Sequence, residues 1–358
     1  MMKRRKTAAL AVVLVLALSL GLAACGNDSG SSNTPASPAE SEAPSTFSFT
    51  LSMHDPITTP NAIFFQEWAD AVNAATNGRV TITIHGSATL AAATDVADVV
   101  RGGGADMGWL FSGNFAGQFP LSEVISLPLQ GFGDPVVSTR VLWDLYEEFE
   151  DMRAEWADFQ LLMLYANPGM IFASAGDPIT SVADISGKSL RSPAGPITSV
   201  LSAWGANPMM MPAPDIYQAL ERNNISGYVF EPAGITNFNL QEITDYFTDM
   251  PMYNGSFGLI MNKDKWASLP ADLQEIIYNL SSFDASLRAA QNFADSVENA
   301  RGIIIDAGGE FVSVTPEAMA EFQIEADIFA DGWADGIGGA VDATAYLARA
   351  RVLAAQHG

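Results

Sequence analysis

Residues 179–196 read Ile-Thr-Ser-Val-Ala-Asp-Ile-Ser-Gly-Lys-Ser-Leu-Arg-Ser-Pro-Ala-Gly-Pro. The stretch predicts a short strand ending at Arg191. Beyond Gly195, Pro196 starts a helix lined by Ile197, Val200, Leu201 and Trp204. Strand, tight turn and helix in that order build an open α/β sheet, and such sheets bind ligands beyond the carboxyl ends of their strands. There a helix N-terminus favours an anion, and a planar guanidinium can grip a carboxylate with two hydrogen bonds. Position alone leaves two roles open for Arg191, ligand anchor or partner in a structural ion pair.

The same alternation continues on both sides. Phe47–Leu51 and Val80–Ile84 alternate as strands, and Phe65, Trp68 and Val72 mark a helical stripe that Gly78 ends. Residues 160–165 and 169–172 read as buried strands. From Pro270 to about Ala300, Leu273, Ile276, Ile277, Leu280, Phe283 and Leu287 keep helical spacing without glycine or proline, which predicts one continuous helix about 45 Å long. Thr315 and Pro316 open another helix as N-cap and first residue. The fold class is α/β, and 358 residues suit two domains.

The first 24 residues do not belong to that fold. Lys3, Arg4, Arg5 and Lys6 precede an uncharged apolar run from Ala8 to Ala24, the pattern of an export signal. The run ends in Leu22-Ala23-Ala24-Cys25, which resembles a bacterial lipobox, so a lipidated Cys25 is expected to anchor the mature protein at a membrane. Residues 25–46 carry almost no large apolar side chain and read as a flexible tether. Four of the 17 cations lie in the signal, leaving 13 against 41 acidic residues, a net of −28 where the full chain has −24.

Composition and motifs exclude much chemistry. So acidic a chain lacks the clustered cations that grip nucleic-acid phosphates. One cysteine permits no internal disulfide, thiol pair or cysteine zinc site. The chain lacks the G-x-S-x-G elbow of a serine hydrolase, and its three histidines, His54, His85 and His357, are scattered. The glycines at 102–104 and 131–133 complete neither a P-loop nor a dinucleotide fingerprint, and residues 331–336 fail the calcium loop at Trp333. No catalytic residue, metal site or cofactor is expected. A hydrolase using paired carboxylates on a two-lobed scaffold stays open as an alternative, because any chain with 41 acids could hold a pair.

The block at 179–193, with Trp204-Gly-Ala-Asn-Pro208 and Pro214-Asp-Ile-Tyr217 after it, resembles the extracytoplasmic solute-binding proteins of TRAP transporters, the DctP-type family. Gly104-Ala-Asp-Met-Gly108 upstream and Met261-Asn-Lys263 through Trp266 to Leu269-Pro270 downstream match that family in order, and the likeness spans about residues 47–325. It implies a two-lobed periplasmic-binding-protein-like fold with a central cleft and a long helix spanning both lobes. The expected lobes are 47–168 plus 258–296, and 169–257 plus 297–358. It further implies a monomer with Arg191 on the ligand carboxylate, and the small and large membrane subunits of a permease as partners. A membrane receptor is the alternative partner.

Three departures shape the ligand expectation. Ser226-Gly227 stands where Asp-Gly is usual, and the segment after it is one residue longer. The strand at 169–172 lacks the second arginine of sugar-acid binders, and Trp109, Leu110 and Phe111 are bulky where relatives tend to be polar. The expected pocket therefore has one charged anchor, Arg191, with Trp109, Phe111, Phe172, Phe230, Glu231 and His54 around it. Its expected ligand is a monocarboxylate with an aliphatic or aromatic body.

Overall fold

A computed structural model describes residues 45–337 and 341–358. The expected export signal and lipidated Cys25 lie outside the described residues. So does all but the end of the expected tether. Two sheets organise the rest. The first holds β1 (Phe47–Ser52), β2 (Val80–His85), β3 (Met107–Phe111), β4 (Phe159–Ala166) and, far later in the chain, β10 (Ser256–Asn262), in the order β2-β1-β3-β10-β4. Strands β1, β2 and β3 run parallel, and β10 inserts antiparallel between β3 and β4. The second sheet holds β5 (Ile171–Ser174), β6 (Ser189–Ser192), β7 (Asn207–Met210), β8 (Gly227–Phe230), β9 (Tyr246–Thr248) and β11 (Glu310–Val312), in the order β11-β9-β5-β8-β6-β7. Helices α1 (Pro60–Ala75), α2 (Val96–Arg101), α3 (Pro135–Glu148) and α4 (Glu150–Glu155) follow strands or loops of the first lobe. Helices α5 (Val182–Ile185), α6 (Pro196–Ala203), α7 (Ile216–Glu221) and α8 (Pro232–Asn237) belong to the second.

The caps explain where these helices begin. Thr59 and Asp134 accept from backbone N–H groups of the first turns of α1 and α3, with proline at the first helical position of each. Ser181 and Asp184 form a reciprocal capping box on α5. Apolar residues alternate along β2 with exposed threonine, whereas β4 and β10 are buried almost throughout because both faces are covered.

The chain crosses between lobes at residues 167–170 and 250–255, and the two crossings pair with each other. Met170 N–H donates to Tyr253 O (2.8 Å), Met252 N–H to Met170 O (2.8 Å) and Asn167 N–H to Gly255 O (3.1 Å). The Asn254 side chain ties this ribbon to Asn167 O and accepts from the Ser138 hydroxyl of α3 (2.5 and 2.9 Å).

Beyond β10 come α9 (Lys263–Ala267), α10 (Ala271–Asn279), α11 (Ser282–Asp306), α12 (Pro316–Gly336) and α13 (Ala343–His357). The continuous helix expected over residues 270–300 is two helices, because the backbone resets at Ser281 and Ser282, where φ of Ser282 is +58°. The apolar stripe runs straight through the break, so spacing could not reveal it. Asn279 and the two serines are residues that favour turns over helix interiors. The 25 residues of α11 still span roughly 38 Å and touch β4 and α3 of one lobe and α8 and β11 of the other.

A second correction concerns the C-terminus. Helix α13, expected with the second lobe, packs on α3 of the first: Tyr346 donates to Leu121 O (3.2 Å), Arg349 Nε to Glu148 (2.8 Å), and His357 meets Asp144 (2.6 Å). Only α12 lies against α5 and α6 of the second lobe.

Under α13 lie two acids, Glu123 buried and Glu155 half-buried. The Glu155 carboxylate accepts from Leu121 N–H and from the Ser122 N–H (3.0 Å) and hydroxyl (2.8 Å), and burial pushes it up to about 7. Glu123 is pushed up to about 8 by burial and by the charge of Glu155. Asp55 and Glu231 are raised likewise by burial, to about 7 and about 8. These groups hold protons in the folded state where the unfolded chain has lost them, so their contribution is full below about pH 4 and lost as pH rises through 7 to 8. Unfolding temperature is expected to fall from pH 5 to pH 8.5, each acid contributing up to about 1.4 kcal/mol per pH unit in its window. Glu123→Gln should flatten that slope; calorimetric scans with equal slopes for both proteins would contradict the assignment.

Candidate functional site

Between the lobes lies a cavity of about 20 Å³. That is room for about one water, so any larger molecule must enter with the lobes parted. Arg191 forms one wall. It sits on β6 opposite Tyr228 of β8 and Met209 of β7 and is 1% exposed. Its Nε donates to Met211 O (2.9 Å) and Nη1 to Val229 O (3.0 Å). Both partners are carbonyls, so the charge itself is not neutralised by them. Burial brings its pKa down to about 10, which leaves it a cation at neutral pH. Of its five N–H groups two are used, and the remainder are available to the cavity.

Glu231 stands beside it, at the end of β8 and the N-cap of α8, 4% exposed. Asn167 of the interlobe ribbon donates to its Oε2 (3.2 Å). Burial pushes Glu231 up to about 8, outweighing the opposite pull of Arg191, so at pH 7 it is mainly the neutral acid. Gly234 makes this packing possible. A Cβ there would lie 2.4 Å from the Phe230 ring and 2.7 Å from Glu231 Oε1.

Aromatic rings make up most of the remaining wall. His54, Trp109, Phe257 and Phe111 form a continuous stack, with centroids 4.5, 4.9 and 4.8 Å apart. Phe230 lies with its centroid 5.4 Å from the Arg191 guanidinium carbon, and Phe238 and Phe293 complete the enclosure. Trp109 Nε1 donates to Tyr165 Oη (2.6 Å), which fixes the indole. Burial lowers His54 to about 4, so its ring is neutral.

Of the residues expected from sequence, Arg191, Trp109, Phe111, Phe230, Glu231 and His54 meet around this cavity. Phe172 does not. It is packed in the second-lobe core against Trp204 and Phe322, because β5 turns it away from the cleft. Asp55, Phe257, Phe293, Asn114 and Asn237 line the cavity and were not anticipated. Phe257 and Phe293 read in sequence as ordinary core positions, and only the adjacency of Asp55 to His54 after a strand hinted at the acid.

The sequence model of the bacterial extracellular solute-binding proteins, family 7 (DctP), matches residues 51–331. This chain belongs to that family. It is a TRAP-type extracytoplasmic solute-binding protein, related to transport receptors rather than enzymes. Among solved structures, a marine metagenome TRAP solute-binding protein specific for aromatic acid ligands, in complex with metahydroxyphenylacetate, is 25% identical. Its TM-score is 0.82 over 87% of this chain and 99% of that one. A TRAP protein from Bordetella bronchiseptica with bound (R)- and (S)-mandelate is 25% identical, TM-score 0.78, covering 87% and 99%. The outer membrane transporter protein TsaT of Comamonas testosteroni is 24% identical over 79% of this chain and 83% of its own.

The protonation state of Glu231 sets the charge beside the Arg191 guanidinium. When Glu231 ionises it supplies an anion beside the guanidinium and repels an incoming one. Affinity for a carboxylate ligand such as phenylacetate is therefore expected to fall several-fold between pH 6.5 and pH 9, and Glu231→Gln should remove the share due to Glu231, leaving that of Asp55, which lines the same cavity and is raised to about 7. Titration calorimetry showing the same pH profile in both proteins would contradict this role.

Proposed function

We propose that the protein captures a small monocarboxylate with an aromatic or aliphatic body between its lobes, through Arg191, and hands it to a membrane permease. One observation carries the reading: a buried cation whose own partners are carbonyls, enclosed by aromatic rings, beside acids held neutral. Such a cavity gains from a single negative charge and from apolar area, and offers no second cation for a dicarboxylate or a sugar acid. Relatives that bind an aryl acetate and mandelate agree with that chemistry.

The delivery step follows from family membership, since these receptors serve two-component permeases driven by ion gradients. Anchoring by a lipid on Cys25 is read from the lipobox sequence and would hold the receptor on the extracytoplasmic side of a membrane, beside the permease. Closure over the ligand is the hinge motion that the paired crossings at 167–170 and 250–255 allow.

Replacing Arg191 tests the reading. Arg191→Ala is expected to weaken binding of phenylacetate, benzoate or mandelate by roughly 100-fold or more, the loss of a charge-assisted bidentate contact. Arg191→Lys should recover only part of it, because an ammonium cannot reproduce the fork. Calorimetry against a panel that includes succinate decides the ligand class. Unchanged affinity in Arg191→Ala, or succinate as the tightest ligand, would refute the proposal.

A further inference from the structure

The carboxylate anchor occupies one side of the cavity, on the second lobe. The first lobe presents a polar end of its own. His54 and Asp55 follow β1 directly, both line the cavity, and Asp55 is 3% exposed. The backbone there is firmly held: Met53 N–H donates to His85 O (2.9 Å) and Asp55 O accepts from Ser87 N–H (2.7 Å). The side chains are not. His54 Nδ1 is buried with no hydrogen-bond partner among the described residues, and its Nε2 is 3.8 Å from Asp55 Oδ1, beyond hydrogen-bond reach.

Buried polar atoms in native proteins are paired in the great majority of cases, and leaving one unpaired costs about 1–3 kcal/mol. An unpaired ring nitrogen on His54, at the wall of the cavity and beside Asp55, marks a place that the occupant completes. The stack from His54 through Trp109 to Phe257 gives the occupant a flat apolar surface to lie on. Its charge is already matched at Arg191. Asp55, raised to about 7, and His54, lowered to about 4, are both largely uncharged in mildly acidic solution, so the group that meets them is neutral and able to donate and accept.

We propose that the ligand carries a hydroxyl group on its body, away from the carboxylate, and that Asp55 together with His54 hydrogen-bonds this hydroxyl and selects hydroxylated acids over their unsubstituted parents. The proposal rests on the reading of Arg191 as the carboxylate anchor. It also gives the two lobes different tasks. The second holds the charge common to all carboxylates and the first reads the substituent, so full closure needs both ends matched.

The test is calorimetry at pH 6.5 with phenylacetate and its 2-, 3- and 4-hydroxy derivatives. For the wild-type protein at least one hydroxy isomer is expected to bind about tenfold or more tighter than phenylacetate. In Asp55→Ala that ratio should collapse to within about threefold. Asp55→Leu, which keeps the side chain's bulk but has no hydrogen-bonding group, provides the same readout should the alanine variant fold poorly. A role of Asp55 in folding alone would weaken all four acids together and preserve the ratio. Phenylacetate binding with no preference for any hydroxy isomer, or a preference that survives in both variants, overturns this inference and leaves the Arg191 reading standing. Failure of all four acids to bind the wild-type protein overturns both.

Discussion

A guanidinium that is 1% exposed sets the terms for everything around it. Removing a cation from water costs several kcal/mol unless hydrogen bonds and an opposite charge compensate, and arginine does not escape by losing its proton. Here the hydrogen bonds come from the backbone, at Met211 O and Val229 O. An ionised carboxylate held permanently against Arg191 would block it. Glu231 is instead buried deeply enough that its proton stays on at neutral pH. The balance left over is a positive charge in an apolar enclosure, a site that is stabilised when an anion arrives.

The fold places this charge where two bodies can close on it. Arg191, Phe230 and Glu231 come from neighbouring strands β6 and β8 of the second sheet, while His54, Trp109, Phe111 and Phe257 come from β1, β3 and β10 of the first. The crossings that join the sheets also touch the site, since Asn167 donates to Glu231 and its own Oδ1 accepts from Gly255 N–H (2.6 Å). The lobes also touch away from the cavity: Ala194 N–H, just before α6, donates to Gly113 O of the first lobe (2.8 Å). The cavity wall and the interlobe ribbon therefore share residues, Glu231 and Asn167.

Much of this was legible in the sequence for definite reasons. Alternation and helical spacing gave the α/β class. The strand carrying Arg191 before Gly195 and Pro196 put that arginine at the edge where open sheets bind ligands, and the structure places it at the cavity wall. What escaped has a physical cause in each case. The break at Ser281 is a backbone event inside an unbroken apolar stripe. Helix α13 has a weakly amphipathic, alanine-rich sequence whose partner surface on α3 only tertiary structure defines. Phe172 and Phe257 are alike as residues in apolar strands, yet one faces the core and the other the cavity, because a strand's two faces differ only in what they pack against. Asp55 was missed because burial, not residue type, makes an acid polar bait rather than solvated surface.

Native mass spectrometry of the protein purified without denaturation tests the central claim most directly, because a closed cavity of this kind retains its ligand through purification. The account requires the released molecule to be an organic acid with one carboxylate and an apolar or aromatic body, present on the wild-type chain and lost when Arg191 is replaced by alanine. A neutral sugar, a cation or a dicarboxylate carried by the wild-type protein, or the same molecule retained without Arg191, would contradict it.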